Sequence, residues 1–151
     1  MVGNPKKKST GIVNAAIGAL AVVLAILIVW MMNLVSGIQG TARIINYAGL
    51  VRGKTQRIVK LEISGQPQDG MIADIDAFID GLRFGSDELS LVRLNNDAFQ
   101  RKMQELDDYF QALKQEIGRV RAVGSNNTDI IPISETFFGI CDDATGLAEA
   151  Y

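Results

Sequence analysis

The feature that most constrains this chain is a charge-free, apolar stretch near its N-terminus. No charged residue occurs between Lys8 and Arg43, and the segment from Ile12 to Val35 is almost wholly apolar. A helix of this length extends over about 36 Å, which is enough to cross the hydrocarbon core of a bilayer, about 30 Å thick. We therefore expect residues 11–36 to form a transmembrane helix.

A cleaved secretory signal is the alternative interpretation of this stretch. The apolar part of such a signal usually has about 7–15 residues and ends at small residues. Here the run is longer and Trp30-Met31-Met32 stand where small residues are expected, although Ser36-Gly37 could be cut. The three lysines Lys6–Lys8 predict, by the positive-inside rule, that residues 1–10 are cytoplasmic. The chain after about residue 37 would then lie outside the cell (inner) membrane.

The remaining segment, residues 37–151, has helical periodicity throughout and no convincing alternating strand. With Cys141 as its single cysteine, the segment has no internal disulfide and must be held together by packing. We expect helix one to continue from the anchor to about Ser64, helix two to cover Asp69–Phe84, helix three to begin after Asn96 or Asp97 and end at Gly124, and helix four to open near Pro132 or Ser134. Four amphipathic helices with short connections predict an antiparallel four-helix bundle, so that the fold class is all-α.

The last predicted helix has apolar residues at four-three spacing up to Tyr151, where the chain ends inside an unfinished pattern. We interpret the chain as truncated before a second transmembrane helix. The natural product would then continue into a cytoplasmic output module, such as a histidine kinase, a diguanylate cyclase or a chemotaxis transducer.

Helix one gathers cations inside an otherwise acidic segment. After residue 36 the chain has 12 Lys and Arg against all 17 Asp and Glu, a net charge of −5. Five of these cations precede the first carboxylate, Glu62; they are Arg43, Arg52, Lys54, Arg57 and Lys60. Such a local concentration of positive charge predicts an anion-binding element.

Two residues of helix one stand out, Gly49 and Arg52, because they share a stripe with apolar residues. We number helix one α1 and call this stripe the α1 seam; it comprises Ala42, Ile45, Gly49, Arg52, Gln56, Val59 and Ile63. Glycine permits close approach of another backbone, and arginine offers a planar fork of donors to carboxylate-like or phosphate-like oxygens. If two copies meet along this seam, two Arg52 side chains repel each other until a small anion lies between them. The pattern thus predicts a homodimer with an anionic ligand at its interface.

The other polar residues of the helix allow more than one interpretation. Arg43, Lys54 and Lys60 fit ordinary solvated cations. Arg57 either binds the ligand or pairs with an acid on helix two or three. Asn46 and Gln56 either contact the ligand or hydrogen-bond neighbouring helices.

The same stretch resembles a known family. The residues that carry the resemblance are Asn46, Ala48, Gly49, Arg52, Thr55, Gln56 and Arg57. They are similar to the P-box helix of the nitrate/nitrite sensor kinases and of the chemoreceptor N-terminal domain in twitching-pilus systems, over roughly residues 36–151. The resemblance implies a periplasmic four-helix bundle in which Gly49 and Arg52 contact an anion such as nitrate or nitrite at the dimer interface. Gly53 and Lys54 depart from the family pattern.

Several classes of function find no support in the sequence. The chain has no histidine, which removes imidazole acid–base catalysis and most zinc sites. Cys141 fits a core residue, and the adjacent acids Asp107-Asp108 and Asp142-Asp143 point to different helix faces, so that neither pair forms a carboxylate dyad. No glycine loop for phosphate is present, and an acidic segment outside a membrane is not expected to bind nucleic acid. We expect no catalytic residue, metal or cofactor, and no enzymatic activity in this chain.

The sequence therefore predicts the input module of a membrane signal-transduction receptor. A small external anion, bound by Arg52, Gly49, Asn46, Gln56 and Arg57 in a homodimer, would bias the helix that enters the lipid bilayer. The alternative is a single-pass, membrane-anchored structural or partner-binding envelope protein. In that case Arg52 would be neutralised by an acidic side chain of its own bundle or of its partner.

Overall fold

The computed structural model describes residues 6–150. Its α-helices are α1 (Lys6–Ile63), α2 (Asp69–Phe84), α3 (Asp97–Val123) and α4 (Ile130–Glu149), and a 3₁₀ turn covers Ser125–Asn127. The described residues contain no strand; one isolated antiparallel bridge joins Ser86 and Leu91. The predicted all-α, four-helix architecture is confirmed. Residues 1–5 of the predicted N-terminal segment and the predicted last stripe residue, Tyr151, lie outside the described residues.

The chain divides between Gln39 and Gly40 into two units. In the first unit the large apolar side chains between Ile12 and Val35 are all exposed, as expected for a helix that meets lipid rather than protein. By length and composition α1 can cross a membrane. The one side-chain amide near the end of this stretch, Asn33, donates to the carbonyl of Val29 at 2.9 Å, which satisfies one of its donors within the helix.

The second unit is a bundle whose core is built from one face of each helix. On α1 this face is Ile44, Ala48, Val51, Thr55 and Ile58, at the four-three spacing of an amphipathic helix. Large aromatic residues fill the centre, where the rings of Phe110 and Phe137 lie 5.7 Å apart. Cys141, predicted to be a core residue, is fully buried.

Particular residues mark where the helices begin and end. At the end of α1 the chain turns at Gly65, whose φ of 75° favours glycine. Asn96 caps α3, as one of the two predicted alternatives, and its side-chain oxygen accepts from the backbone N–H groups of Ala98 and Phe99 at 2.9 and 3.1 Å. Gly124, with φ 81°, follows the last residue of α3 as expected.

Helix α4 begins earlier than the sequence suggested. Its first residue is Ile130, two residues before Pro132 and four before Ser134. Proline is tolerated in the first turn because the N–H groups of that turn have no acceptor within the helix, so that a residue without an N–H loses no hydrogen bond. Pro132 therefore stands inside the first turn and does not mark the start of the helix.

Candidate functional site

The α1 seam lies beside the core face of α1. Its seven members are shifted by one position from the core residues, and of these only Val59 is buried. Ile45 and Arg52 are half-buried, whereas Gly49 and Gln56 are exposed. The bundle thus fills its core with other residues and leaves most of the seam at the surface.

Arg52 forms an ion pair with an acid of the same chain. Its Nε lies 3.0 Å from Oδ1 of Asp142 on α4, and the two side chains keep 43% and 60% of their exposure. The Nε atom is nevertheless buried and donates no hydrogen bond within the described part of the chain, so the contact is electrostatic only. Among the described side chains, the other buried polar atom without a hydrogen-bond partner is Oγ1 of Thr55, one turn further along α1.

The charges of Arg52 and Asp142 also affect the pKa of the Cys141 thiol in the core. Burial is the main reason that the pKa of Cys141 is raised from 9.0 to about 12; the Asp142 carboxylate adds to the rise and the Arg52 guanidinium opposes it. The charges of Arg52 on α1 and Asp142 on α4 therefore act on the buried thiol in opposite directions.

Three of the predicted site residues, Asn46, Gly49 and Arg57, line a groove of about 580 Å³. The groove is completed by Ile45, Leu50, Gly53, Lys54 and Thr145. Two cations, a side-chain amide, a hydroxyl and an exposed apolar residue therefore share one surface of α1 and α4. Lys54 is not free there, because its Nζ pairs with Asp74 at 2.6 Å and lies 4.9 Å from the ring centroid of Phe78.

Gln56, the fifth predicted residue, lines a second groove of about 400 Å³. Val59, Lys60, Ile63, Ser64, Ile131, Ser134, Glu135 and Phe138 form the rest of its lining. On α4, Asp142 lies between Phe138 of the second groove and Thr145 of the first, whereas on α1 Arg52 lies within the span of the first groove. The five predicted residues thus do not converge on one cavity within the described part of the chain.

Gly49, the glycine of the predicted motif, is not required by the packing of the described residues. A Cβ added at Gly49 would meet no atom within 4 Å, and the same holds at Gly53. Glycine inside a helix costs about 1 kcal/mol relative to alanine. The packing of the described residues does not account for this cost.

The sequence reasoning missed the contribution of α4. Asp142 and Thr145, one turn apart on that helix, both face α1. The prediction that Asp142 and Asp143 point to different faces is confirmed: Asp142 contacts Arg52, whereas Asp143 contacts Lys102 on α3 at 3.2 Å. The i, i+3 spacing of Asp142 and Thr145 was a visible signal, but without the partner helix it did not indicate a site. Residues 6–150 contain no group of three His, Cys, Asp or Glu placed to hold a metal ion.

Comparison with known proteins supports the architecture. No protein-family model matches the chain, and no curated protein matches its sequence. Among solved structures, the chain is similar to the ligand-binding domain of the P. aeruginosa nitrate receptor McpN, with a TM-score of 0.63. The match has 18% identity and covers 72% of this chain and 94% of that one. At this level of identity the likeness shows a shared fold.

Proposed function

We propose that residues 37–151 are the external ligand-sensing module of a membrane signal-transduction receptor, anchored by a transmembrane helix over residues 11–36. The fold is one that a nitrate receptor uses to bind its ligand. The proposed ligand is a small anion such as nitrate or nitrite, held at α1 between two copies of the chain. The proposed topology puts residues 1–10 in the cytoplasm and the module outside the inner membrane.

The observation that carries this proposal is the state of Arg52. Its guanidinium is half-exposed on a helix surface, and its Nε is buried without a hydrogen bond. The nearest acceptor, Oδ1 of Asp142, lies 3.0 Å away but outside hydrogen-bond geometry, whereas a hydrogen bond to a charged group contributes about 1.5–3 kcal/mol, so an anion that aligns with Nε would gain more than this carboxylate does. A charged oxygen is the natural acceptor, because hydrogen bonds between charged groups are the shortest and strongest in proteins.

The glycines beside Arg52 support a site completed by a second copy. Gly49 is exposed, and no atom of its own subunit approaches the space of a Cβ. A second α1 packed along the α1 seam would use that space, because a missing Cβ lets two helix backbones come close. The anion would then lie between two Arg52 side chains and offset their repulsion.

The signal in this proposal passes along α1. This helix runs without interruption from Lys6 to Ile63 and so joins the anion site to the proposed membrane segment. Shifts of packed helices by about 1–2 Å are an established way to transmit binding at an interface. A ligand that draws two seams together would produce such a shift.

A second candidate function is favoured by the contact between Arg52 and Asp142. A structural or partner-binding envelope protein needs no ligand to neutralise Arg52, and Asp142 already brings a carboxylate to 3.0 Å. On this hypothesis the exposed seam binds another protein. The two functions differ in their response to small anions.

Differential scanning calorimetry of the full chain in detergent micelles tests the proposal. Nitrate, nitrite, sulfate and acetate are added separately, and a ligand present at 100 times its dissociation constant adds about 2.7 kcal/mol to the stability of the native state. We expect nitrate or nitrite to raise the unfolding temperature, and we expect Arg52→Gln to abolish the rise. Arg101→Gln, which removes an exposed cation from α3, is the matched control and should keep it. If no anion raises the unfolding temperature, the receptor proposal is wrong and the partner-binding function is favoured.

A further inference from the structure

The carboxylate of Asp142 lies against the Nε side of the Arg52 guanidinium. Its Oδ1 is 3.0 Å from the Arg52 Nε, and no other acid makes an ion pair with Arg52 in the described part of the chain. A carboxylate has two oxygens in one plane with a delocalised negative charge, and nitrate and nitrite share this arrangement. The side chain therefore presents to Arg52 the same chemistry as the proposed ligand.

The contact is weak enough to be displaced. Both partners are largely exposed, at 43% and 60%, and exposed ion pairs contribute about 0.2–1 kcal/mol. The Nε–H does not form a hydrogen bond with Asp142, although the two atoms are close. An anion that is free to orient itself can make the hydrogen bond that the tethered carboxylate does not make.

We propose that Asp142 is an affinity-determining residue that competes with the anion for Arg52. In the ligand-free subunit its carboxylate neutralises the guanidinium, and the anion binds by replacing it. This inference rests on the proposed function. It also specifies the ligand class: a small, planar monoanion with two adjacent oxygens, which reproduces the carboxylate that it displaces.

The replacement has a structural consequence on α4. While Asp142 contacts Arg52, it joins α4 to α1 by a side-chain ion pair. Once an anion holds Arg52, that tie is lost and α4 is free to shift against α1. Ligand binding thereby changes the packing of two helices of the same subunit as well as the contact between two subunits.

The chain provides a matched control for this competition. Asp143 is the next residue, its side chain is 65% exposed, and it pairs with Lys102 on α3 instead of with Arg52. Asp142→Asn and Asp143→Asn remove the same charge from adjacent positions of α4. A general effect of net charge on anion binding acts on both variants, whereas direct competition acts on the first alone.

Isothermal titration of nitrate into the full chain in detergent micelles is the test. We expect Asp142→Asn to bind nitrate about 1.4-fold to 5-fold more tightly than the wild type for each carboxylate displaced, which corresponds to the loss of a pair worth about 0.2–1 kcal/mol. We expect Asp143→Asn to bind with the wild-type constant. Asp142→Glu, which restores a carboxylate at this position, should bring the affinity back toward the wild type.

The outcomes separate the two proposals. Nitrate binding by the wild type with equal or weaker binding by Asp142→Asn overturns the competition and leaves the receptor function in place. Equal tightening in Asp142→Asn and Asp143→Asn also overturns it, because net charge then explains the effect. If neither the wild type nor Asp142→Asn binds nitrate, the competition for nitrate is wrong; the receptor function is wrong as well if nitrite, sulfate and acetate also fail to raise the unfolding temperature of the wild type.

Discussion

The carboxylate of Glu62 joins three parts of the bundle at the end of α1. Its side chain is 1% exposed, and it accepts hydrogen bonds from Arg121 on α3 at 2.9 and 2.6 Å. It also accepts from the backbone N–H of Gln68 at 2.8 Å, in the turn between α1 and α2. The hydrogen bonds with Glu62, and then with Asp69, hold the pKa of Arg121 above its ordinary value.

Glu62→Gln removes the charge and keeps the volume. The amide still accepts from Gln68, but its NH₂ group turns one charge-assisted hydrogen bond from Arg121 into a contact between donors. Breaking a buried pair by changing one partner costs about 3–5 kcal/mol. The Arg121 side chain is 34% exposed and keeps Asp69 at 2.8 Å, which reduces the loss. We therefore expect the free energy of unfolding to fall by about 2 kcal/mol.

Thermal and urea unfolding of the full chain in micelles, followed by circular dichroism, measures this change. A loss of about 2 kcal/mol corresponds to a fall of about 8 °C in the unfolding temperature for a bundle of this size. Glu105→Gln is the control: Glu105 pairs with Lys102 at 2.8 Å on the surface of α3, and we expect a change below about 0.5 kcal/mol. A double-mutant cycle with Arg121→Gln should give a coupling of at least about 1 kcal/mol. If Glu62→Gln changes stability no more than Glu105→Gln, the argument that burial makes this carboxylate structural is wrong.

Two further predictions concern Cys141 and Gly49. Because burial raises the pKa of Cys141 from 9.0 to about 12, the folded state holds the thiol proton more tightly than the unfolded state does, and this contribution to stability is complete below pH 9 and is lost as the pH rises toward 12. We measure the free energy of unfolding by urea titration at several pH values. Between pH 9 and 12 this free energy should fall by up to about 1.4 kcal/mol per pH unit less in Cys141→Ala than in the wild type. The same pH dependence in both proteins would contradict the role given to Cys141. Gly49→Ala should stabilise the bundle by about 1 kcal/mol, because its Cβ meets no atom within 4 Å, yet reduce the nitrate-dependent rise in unfolding temperature. Gly118→Ala, at a similarly open position of α3, should give the same stabilisation and leave the nitrate response intact; equal nitrate responses in both variants would remove the role given to Gly49.

The architecture followed from the sequence because local signals and hydrophobic spacing agree in this chain. The predicted bounds of α2, Asp69–Phe84, match the observed ones, since Pro67 prevents an earlier start and Gly85 ends the helix. The start of α4 was placed too late because proline marks a helix start only approximately. Which position of the first turn Pro132 occupies depends on the conformation of the residues that precede it.

The site was less accessible to sequence reasoning, because it depends on which helices become neighbours. Spacing alone placed Arg52 on a partly apolar stripe of α1. The face of α1 that is buried lies one residue away from this stripe, and its position depends on how α2, α3 and α4 pack against α1. The contact with Asp142 joins residues 90 positions apart, and no local pattern specifies it. The assignment of Asn46, Gly49, Arg52, Gln56 and Arg57 to a ligand therefore stays a prediction.

The most direct test of the central claim is the crystal structure of the full chain with nitrate bound. We predict two copies in contact along the α1 seam, with nitrate oxygens within hydrogen-bonding distance of Arg52 and with Asp142 moved away from it. Nitrate bound elsewhere, or an unchanged contact between Arg52 and Asp142 in the occupied protein, would contradict it.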